Sequence, residues 1–123
     1  STDIKEQLTT ALEQLFSRAL MADKLAYALF AEPLSPKIEQ HRIEFKEQFK
    51  RIFSDIINQG ITQKQFVIQD ANIVANAIMG TLNEALLIPL YWQHQQMPTF
   101  ERIKLIQQCQ QFCLRSITYN GDN

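Results

Sequence analysis

The sequence is poor in the residues that build tight turns between β-strands. Its 123 residues include only three glycines, and Asn120-Gly121 lies at the C-terminal end, not between two alternating apolar runs. Hairpins rely on such pairs between strands. We therefore expect no sheet, and an all-α fold in a single domain over residues 1–123, a common size for one domain.

An excess of charge of one sign is also lacking. The chain has 12 basic and 13 acidic residues, which give a net charge of -1. Proteins that neutralise a phosphate backbone present a basic surface. We therefore expect that this chain does not itself bind DNA.

Long apolar runs are absent too. The N-terminus STDIKEQL is polar and has no basic leader followed by an apolar block, so no signal peptide is expected. The most apolar stretch, 71–92, is interrupted by polar residues and a proline that hydrocarbon tolerates poorly: Asn72, Asn76, Asn83, Glu84 and Pro89. We expect no membrane span and a cytoplasmic protein.

Catalytic and metal-binding signatures are missing as well. The chain has two histidines, His41 and His94, and no HExxH, CxxC, GxSxG or glycine-rich phosphate loop. Its two cysteines, Cys109 and Cys113, lie one helical turn apart, where burial as small hydrophobic residues is favoured over a disulfide. No enzyme activity, metal or cofactor is expected.

Helical periodicity is what the first half of the chain does show. Apolar residues recur at helical spacing from Asp3 to Leu20, with Asp3 as the expected N-cap. A break at Met21–Asp23 and a short helix over Asp23–Ala31 are expected next.

After the linker EPLSP, a helix should run over Pro36–Gln59 and end at Gly60 in left-handed conformation. Its inner stripe should hold Ile38, His41, Phe45, Phe49, Ile52, Phe53 and Ile56. Its solvent side should hold Glu39, Arg42, Lys46, Glu47, Lys50 and Arg51.

The second half predicts two long helices. A loop over Gly60–Gln69 should be pinned by Phe66, and Asp70 should cap a central helix over 70–92. Pro89 should kink or end that helix. The last helix should run from Pro98 to Ile117 or Tyr119.

These two helices have more apolar surface than one core contact uses. The apolar residues of the central helix do not fit one stripe, and the apolar arc of the last helix spans about 200°. We therefore expect a bundle of about five to six helices whose last two long helices form a four-helix bundle with a second copy, around a two-fold axis. A thick monomeric bundle is the alternative. The expected dimer interface comprises Ile73, Ala77, Gly80, Ile106, Cys113 and Ile117.

The stretch FSDIINQGITQKQFVIQDANIVANAIMGTLNEALL, from Phe53 to Leu87, resembles the C-terminal domain of TetR-family transcriptional regulators. In that family a long helix ends in a glycine, an aromatic residue follows in a short loop, an acidic residue opens the next helix, and a glycine lies near its middle. Here these positions are Gly60, Phe66, Asp70 and Gly80. The chain departs from the pattern at Lys64-Gln65, where a glycine often precedes the aromatic residue.

The resemblance implies an effector-binding and dimerisation domain. In family terms, a small molecule binds among the helices and changes the spacing of paired DNA-binding heads, which is allostery between two sites. Nothing in Ser1–Ala31 has the pattern of a helix-turn-helix. DNA contact is therefore expected only through a domain outside this chain. The alternative function is a helical dimerisation or adaptor module without a small-molecule site.

An effector pocket is expected between the Pro36–Gln59 helix, the central helix and the N-terminal helices. Aromatic walls and a few polar groups suit a mainly hydrophobic or aromatic molecule. The candidate ligand-binding residues are Tyr27, His41, Phe45, Phe49, Glu84, Tyr91 and Trp92. Each aromatic residue has an alternative role as plain core, His41 as a structural residue at the core edge, and Glu84 as part of the dimer interface.

Overall fold

The computed structural model describes residues 3–28, 36–89 and 98–119, and within these ranges the chain forms four helices. Helix α1 spans Ile4–Ala28, α2 spans Pro36–Thr62, α3 spans Ala71–Gly80, and α4 spans Thr99–Ile117. A π-helical segment, Thr81–Leu87, continues directly from α3. The all-α expectation is confirmed, with four helices in the described ranges instead of five to six.

Helix α1 is continuous where the sequence predicted a break. It passes through Met21–Asp23 and remains helical to Ala28, so that prediction was wrong. The helix contains no glycine or proline, and one aspartate costs too little helix propensity to interrupt a chain of leucines and alanines. Its N-cap is as expected, because the Asp3 carboxylate accepts a hydrogen bond from the Lys5 amide at 3.0 Å. The EPLSP linker lies largely outside the described residues.

The end of α2 differs from the expectation at Gly60. The helix continues past Gly60 to Thr62, and the left-handed residue is Lys64, with φ 60°. The amides of Lys64 and Gln65 donate to the carbonyls of Ile61 and Gly60 at 2.9 and 2.8 Å. This pair of bonds defines a Schellman cap, in which the left-handed position follows the last helical turn. Gly60 therefore lies inside that turn and not at the left-handed position.

Lys64→Gly should stabilise the domain, because glycine adopts the left-handed conformation without the clash that a Cβ causes. We expect the free energy of unfolding to rise by about 0.5–1 kcal/mol. This is a net value, because glycine also gives the unfolded chain more conformational freedom, which opposes folding. Gln63→Gly is the matched control, since residue 63 has no positive φ, and it should destabilise. Urea denaturation at one fixed protein concentration measures both. Destabilisation by Lys64→Gly would contradict the cap described above.

The loop after α2 connects it to the far end of the chain. Phe66 is 1% exposed, as expected for a residue that pins the loop, and it forms an isolated antiparallel bridge with Thr118. The Val67 amide donates to the Ile117 carbonyl at 3.1 Å, and the Gln69 side-chain amide donates to the same carbonyl at 3.3 Å. The end of α4 is thereby attached to the loop between α2 and α3.

Asp70 caps α3 as expected, since its carboxylate accepts from the Ile73 amide at 3.0 Å. Further along, the Ile88 amide donates to the Asn83 carbonyl, five residues back, which widens the helix by one residue. The widening comes just before Pro89, whose ring would clash with a carbonyl one turn earlier in a regular helix. The helix includes Pro89 itself. Residues 90–97, which follow it, lie outside the description, so the expected kink or end at Pro89 stays a prediction.

One hydrophobic core joins all four helices. The predicted apolar face of α1 is buried, and Phe49 and Phe53 of α2 are 2% and 0% exposed. The predicted α2 stripe was wrong at His41 and Ile52, which are exposed, and it omitted Ile57, which is fully buried. The buried α2 residues repeat every fourth position, so the stripe drifts around the helix and leaves those two positions outside. Within the described ranges, no helix is long and apolar enough to cross a membrane.

Candidate functional site

A cavity of about 270 Å³ opens between α1, α2 and the central helix formed by α3 and the π-helical segment. These are the helices among which the sequence predicted an effector pocket. Its apolar wall consists of Ala19, Phe45, Met79, Leu82 and Leu87. Its polar lining consists of His41, Arg42, Lys46 and Asn83. The volume lies just below the usual range for small-molecule sites, which begins at about 300 Å³.

An aromatic row on α2 supports the cavity wall. The rings of Phe45 and Phe49 are 4.9 Å apart at an angle of 52°, and those of Phe49 and Phe53 are 6.2 Å apart. Phe45 is half-buried at the cavity, whereas Phe49 and Phe53 belong to the core. The guanidinium of Arg18 lies 6.0 Å from the centre of the Phe49 ring. The buried Phe49 ring thus supports the Phe45 ring from the core side.

The polar lining is positively charged. Arg42 forms an ion pair with Glu39, three residues earlier on the same face of α2, with 4.0 Å between the guanidinium nitrogen and the carboxylate oxygen. Both side chains are exposed, so the pair contributes little stability. Lys46 lies one turn further along α2 and has no ion-pair partner among the residues that the structure describes. No carboxylate lines the cavity in the described part of the chain. The opening therefore combines an apolar wall with an excess of positive charge.

The structure separates the predicted ligand-binding residues into three groups. His41 and Phe45 line the cavity, while Phe49 supports the wall from behind. Glu84 is exposed and does not line it. Tyr91 and Trp92, and the side chain of Tyr27, lie outside the described residues.

Sequence reasoning missed the cationic residues of the cavity and the particular residues that the central helix contributes. Arg42 and Lys46 were assigned to solvent, and Met79 and Asn83 were not assigned to a pocket. Arg42 and Lys46 are spaced one helical turn apart on either side of Phe45 in the sequence, a signal that was available. The central helix was expected to border the pocket, but which of its residues do so was not readable from the sequence, because that depends on how the helix packs against α2.

The central helix presents small residues on the side away from the core. Ile73 is 66% exposed, Ala77 and Gly80 are exposed, and a Cβ at Gly80 would meet nothing within 4 Å. Glu84 continues the same row, since the spacings from Ile73 are four, three and four residues. The opposite side holds Ala71, Ala75, Ile78 and Met79, all buried. This row, Ile73, Ala77, Gly80 and Glu84, is called the small-residue face below.

The other predicted interface residues lie on α4. Ile106 is half-buried, while Cys113 and Ile117 are 1% and 0% exposed and pack in the chain's own core. The apolar residues that α4 does expose are Phe100, Ile103 and Phe112, at 77%, 50% and 62%. The apolar surplus of α4 thus exists, but it is carried by side chains other than the three α4 residues expected at the dimer interface.

Both cysteines are buried free thiols, which confirms their assignment as small hydrophobic residues. Burial raises the pKa of Cys113 to about 12, and the neighbouring Cys109 adds to the rise while a hydrogen bond with Thr81 opposes it. Burial also raises the pKa of Cys109. Since thiolates are the reactive form, these thiols are poor nucleophiles and poor metal ligands. Among the described residues, no cluster of three potential metal ligands occurs.

The fold and the cavity define a class: a helical domain with an apolar pocket between its helices and a separate face of small residues. Residues 1–86, more than half of the chain, match the family described as Tetracyclin repressor-like, C-terminal domain. The chain belongs to this family of regulatory domains, which confirms the resemblance seen between Phe53 and Leu87. Helix α4 lies beyond the matched residues.

No curated protein and no solved structure matches the chain.

Proposed function

We propose that this domain binds a small, mainly apolar effector in the cavity between α1, α2 and the π-helical segment. It also dimerises through its small-residue face and α4. In the full regulator, effector binding would control a DNA-binding domain that this chain does not contain. The observation that carries the proposal is the cavity itself, because its apolar wall, its rigid aromatic row and its few polar groups fit a ligand site.

The π-helical segment supports coupling between the two sites. It contributes Leu82, Asn83 and Leu87 to the cavity, and Glu84 to the small-residue face. A ligand that prefers one arrangement of this segment would shift the packing available to a partner chain. Wide helical turns of this kind are uncommon and occur often at functional sites.

Dimerisation is supported by the exposed apolar side chains. Ile73 on the central helix and Phe100, Ile103 and Phe112 on α4 remain half or more exposed in the single chain. Large exposed apolar patches mark interaction sites, and these side chains supply apolar surface on both helices that the proposed interface uses. Small residues at Ala77 and Gly80 would allow the central helices of two chains to approach closely.

Phe45→Ala should weaken binding of a hydrophobic effector about tenfold, because it removes most of the aromatic wall that the ligand would contact. The matched control is Ile43→Ala, on the same helix, half-exposed and not part of the cavity. It should leave binding unchanged. Titration calorimetry, after a thermal-shift screen of hydrophobic small molecules, measures the difference on variants shown by circular dichroism to be folded.

The adaptor alternative makes the opposite prediction. If no hydrophobic compound in the screen raises the melting temperature, and Phe45→Ala and Ile43→Ala behave alike, the effector-binding proposal is wrong. A dimer observed under the same conditions would then favour a dimerisation module without a small-molecule site.

A further inference from the structure

The charge around the cavity restricts the class of ligand further than its apolar wall does. Its lining residues include Arg42, Lys46 and His41. Their side chains carry a guanidinium, an ammonium and an imidazole, all of which can donate hydrogen bonds. Asn83 adds an amide from the opposite helix. Hydrogen-bond donors therefore line the cavity on both of these sides, with no carboxylate among its described lining residues.

Arg42 and Lys46 give the cavity lining two positive charges, and the charge of Arg42 is partly offset. Arg42 shares its charge with Glu39, whose carboxylate lies 4.0 Å from the guanidinium. Glu47, the next acidic residue along α2 beyond Lys46, is held by Lys50 at 3.1 Å. Lys46 keeps an uncompensated charge among the described residues, next to a cavity whose wall is apolar.

From this arrangement we infer that the effector is an apolar molecule with a single anionic group, a carboxylate, held by Lys46 and Arg42 while its body packs on Phe45 and Met79. The inference rests on the proposed function, and it names the class of ligand for that site. A carboxylate fits the donors because it accepts bidentate bonds from a guanidinium and a further bond from an ammonium. A neutral ligand would leave the Lys46 charge unused, and a cationic ligand would be repelled by it.

The test compares ligands with one apolar body and different head groups: decanoate, decanol, decylammonium and decyl phosphate. Titration calorimetry should show decanoate binding at least about tenfold more tightly than decanol, the value of one charge-assisted hydrogen bond. Decylammonium should bind more weakly than decanol. Raising the salt to about 0.5 M should weaken decanoate binding and leave decanol binding unchanged, because salt screens exposed charges.

Substitution identifies the group responsible. Lys46→Gln should weaken decanoate binding about tenfold without changing decanol binding, because it removes the charge and keeps most of the side chain. Lys50→Gln is the matched control, one turn further along the same helix, paired with Glu47 and outside the cavity lining. It should leave the binding of both ligands unchanged.

The outcomes separate this inference from the proposed function. If decanol and decanoate bind equally, or if Lys46→Gln and Lys50→Gln have equal effects, the inference that the effector is anionic is wrong. The proposal of an apolar effector site would still stand. Tighter binding of decyl phosphate than of decanoate would overturn the assignment to a carboxylate. If none of the four ligands binds, or if Phe45→Ala affects none of them, the inference fails together with the effector site.

Discussion

Gly60→Ala is expected to lower the free energy of unfolding by about 2 kcal/mol, although alanine is the better helix former. A Cβ at Gly60 would overlap the ring of Phe66 and lie 2.6 Å from its Cγ. The ring is 1% exposed and packed in the core, so it cannot move aside without disturbing its neighbours. Because the added Cβ overlaps a buried ring, the overpacking cost should reach the upper end of its usual range, about 3 kcal/mol. The gain of about 1 kcal/mol in helix propensity offsets only part of that cost.

Removing the ring of Phe66 should reduce the free energy of unfolding more than adding a methyl group at Gly60 does. Phe66→Ala should lose about 3–5 kcal/mol, since it leaves a cavity between α2, the loop and the end of α4. That loss is a large share of the stability of a domain of this size, about 5–15 kcal/mol. Gln59→Ala, at an exposed neighbouring position of α2, is the control and should be nearly neutral.

A double-mutant cycle shows whether Gly60 and Phe66 interact directly. Phe66→Leu provides space beside residue 60, so Gly60→Ala should cost less in that background than alone, with a coupling of about 1 kcal/mol. Chemical denaturation at fixed protein concentration is the measurement. Strictly additive effects would show that the close contact between Gly60 and the ring does not control stability.

Ala77→Arg should convert the proposed dimer into a folded monomer. Ala77 lies on the exposed small-residue face, opposite the buried side of α3, so the larger side chain has room in the single chain. In the dimer it would place an unpaired charge between two central helices, at a cost of several kcal/mol. The dissociation constant should rise at least about a hundredfold.

Analytical ultracentrifugation over a concentration series measures this change. Gln14→Arg, at an exposed position of α1, is the matched control and should remain dimeric. Circular dichroism separates dissociation from unfolding. Sedimentation of the unmodified chain as a monomer at micromolar concentration would refute the dimer, and a dimeric Ala77→Arg variant would move the interface away from the small-residue face.

The proposed effector site and the proposed dimer interface share the central helix, so the ligand-binding and dimerisation experiments are related. The central helix places Met79, Leu82 and Asn83 at the cavity and Ala77 and Gly80 at the small-residue face. If the proposals hold, ligand binding and dimerisation should influence each other, because linkage makes the coupling reciprocal.

Local patterns determined most of the fold in advance. Apolar spacing was enough to locate α1, α2 and α4 and the buried face of α1, since amphipathic helices must bury one side. Asp3 and Asp70 were recognisable as caps, because capping is a local interaction between a side chain and nearby amides. Glycine scarcity was sufficient to predict an all-α domain.

Tertiary packing decided the features that depend on neighbours distant in sequence. Glycine is needed at position 60 because the Phe66 ring packs against it, not because of its backbone angle. The residue in left-handed conformation is Lys64. The cavity has a cationic lining because Arg42 and Lys46 lie on the part of α2 that borders it, together with residues of the central helix. Cys113 and Ile117 were assigned to the partner but are covered by the same chain. Sequence periodicity shows how much apolar surface a helix has, but the angles at which helices pack determine which part of that surface faces core, cavity or partner.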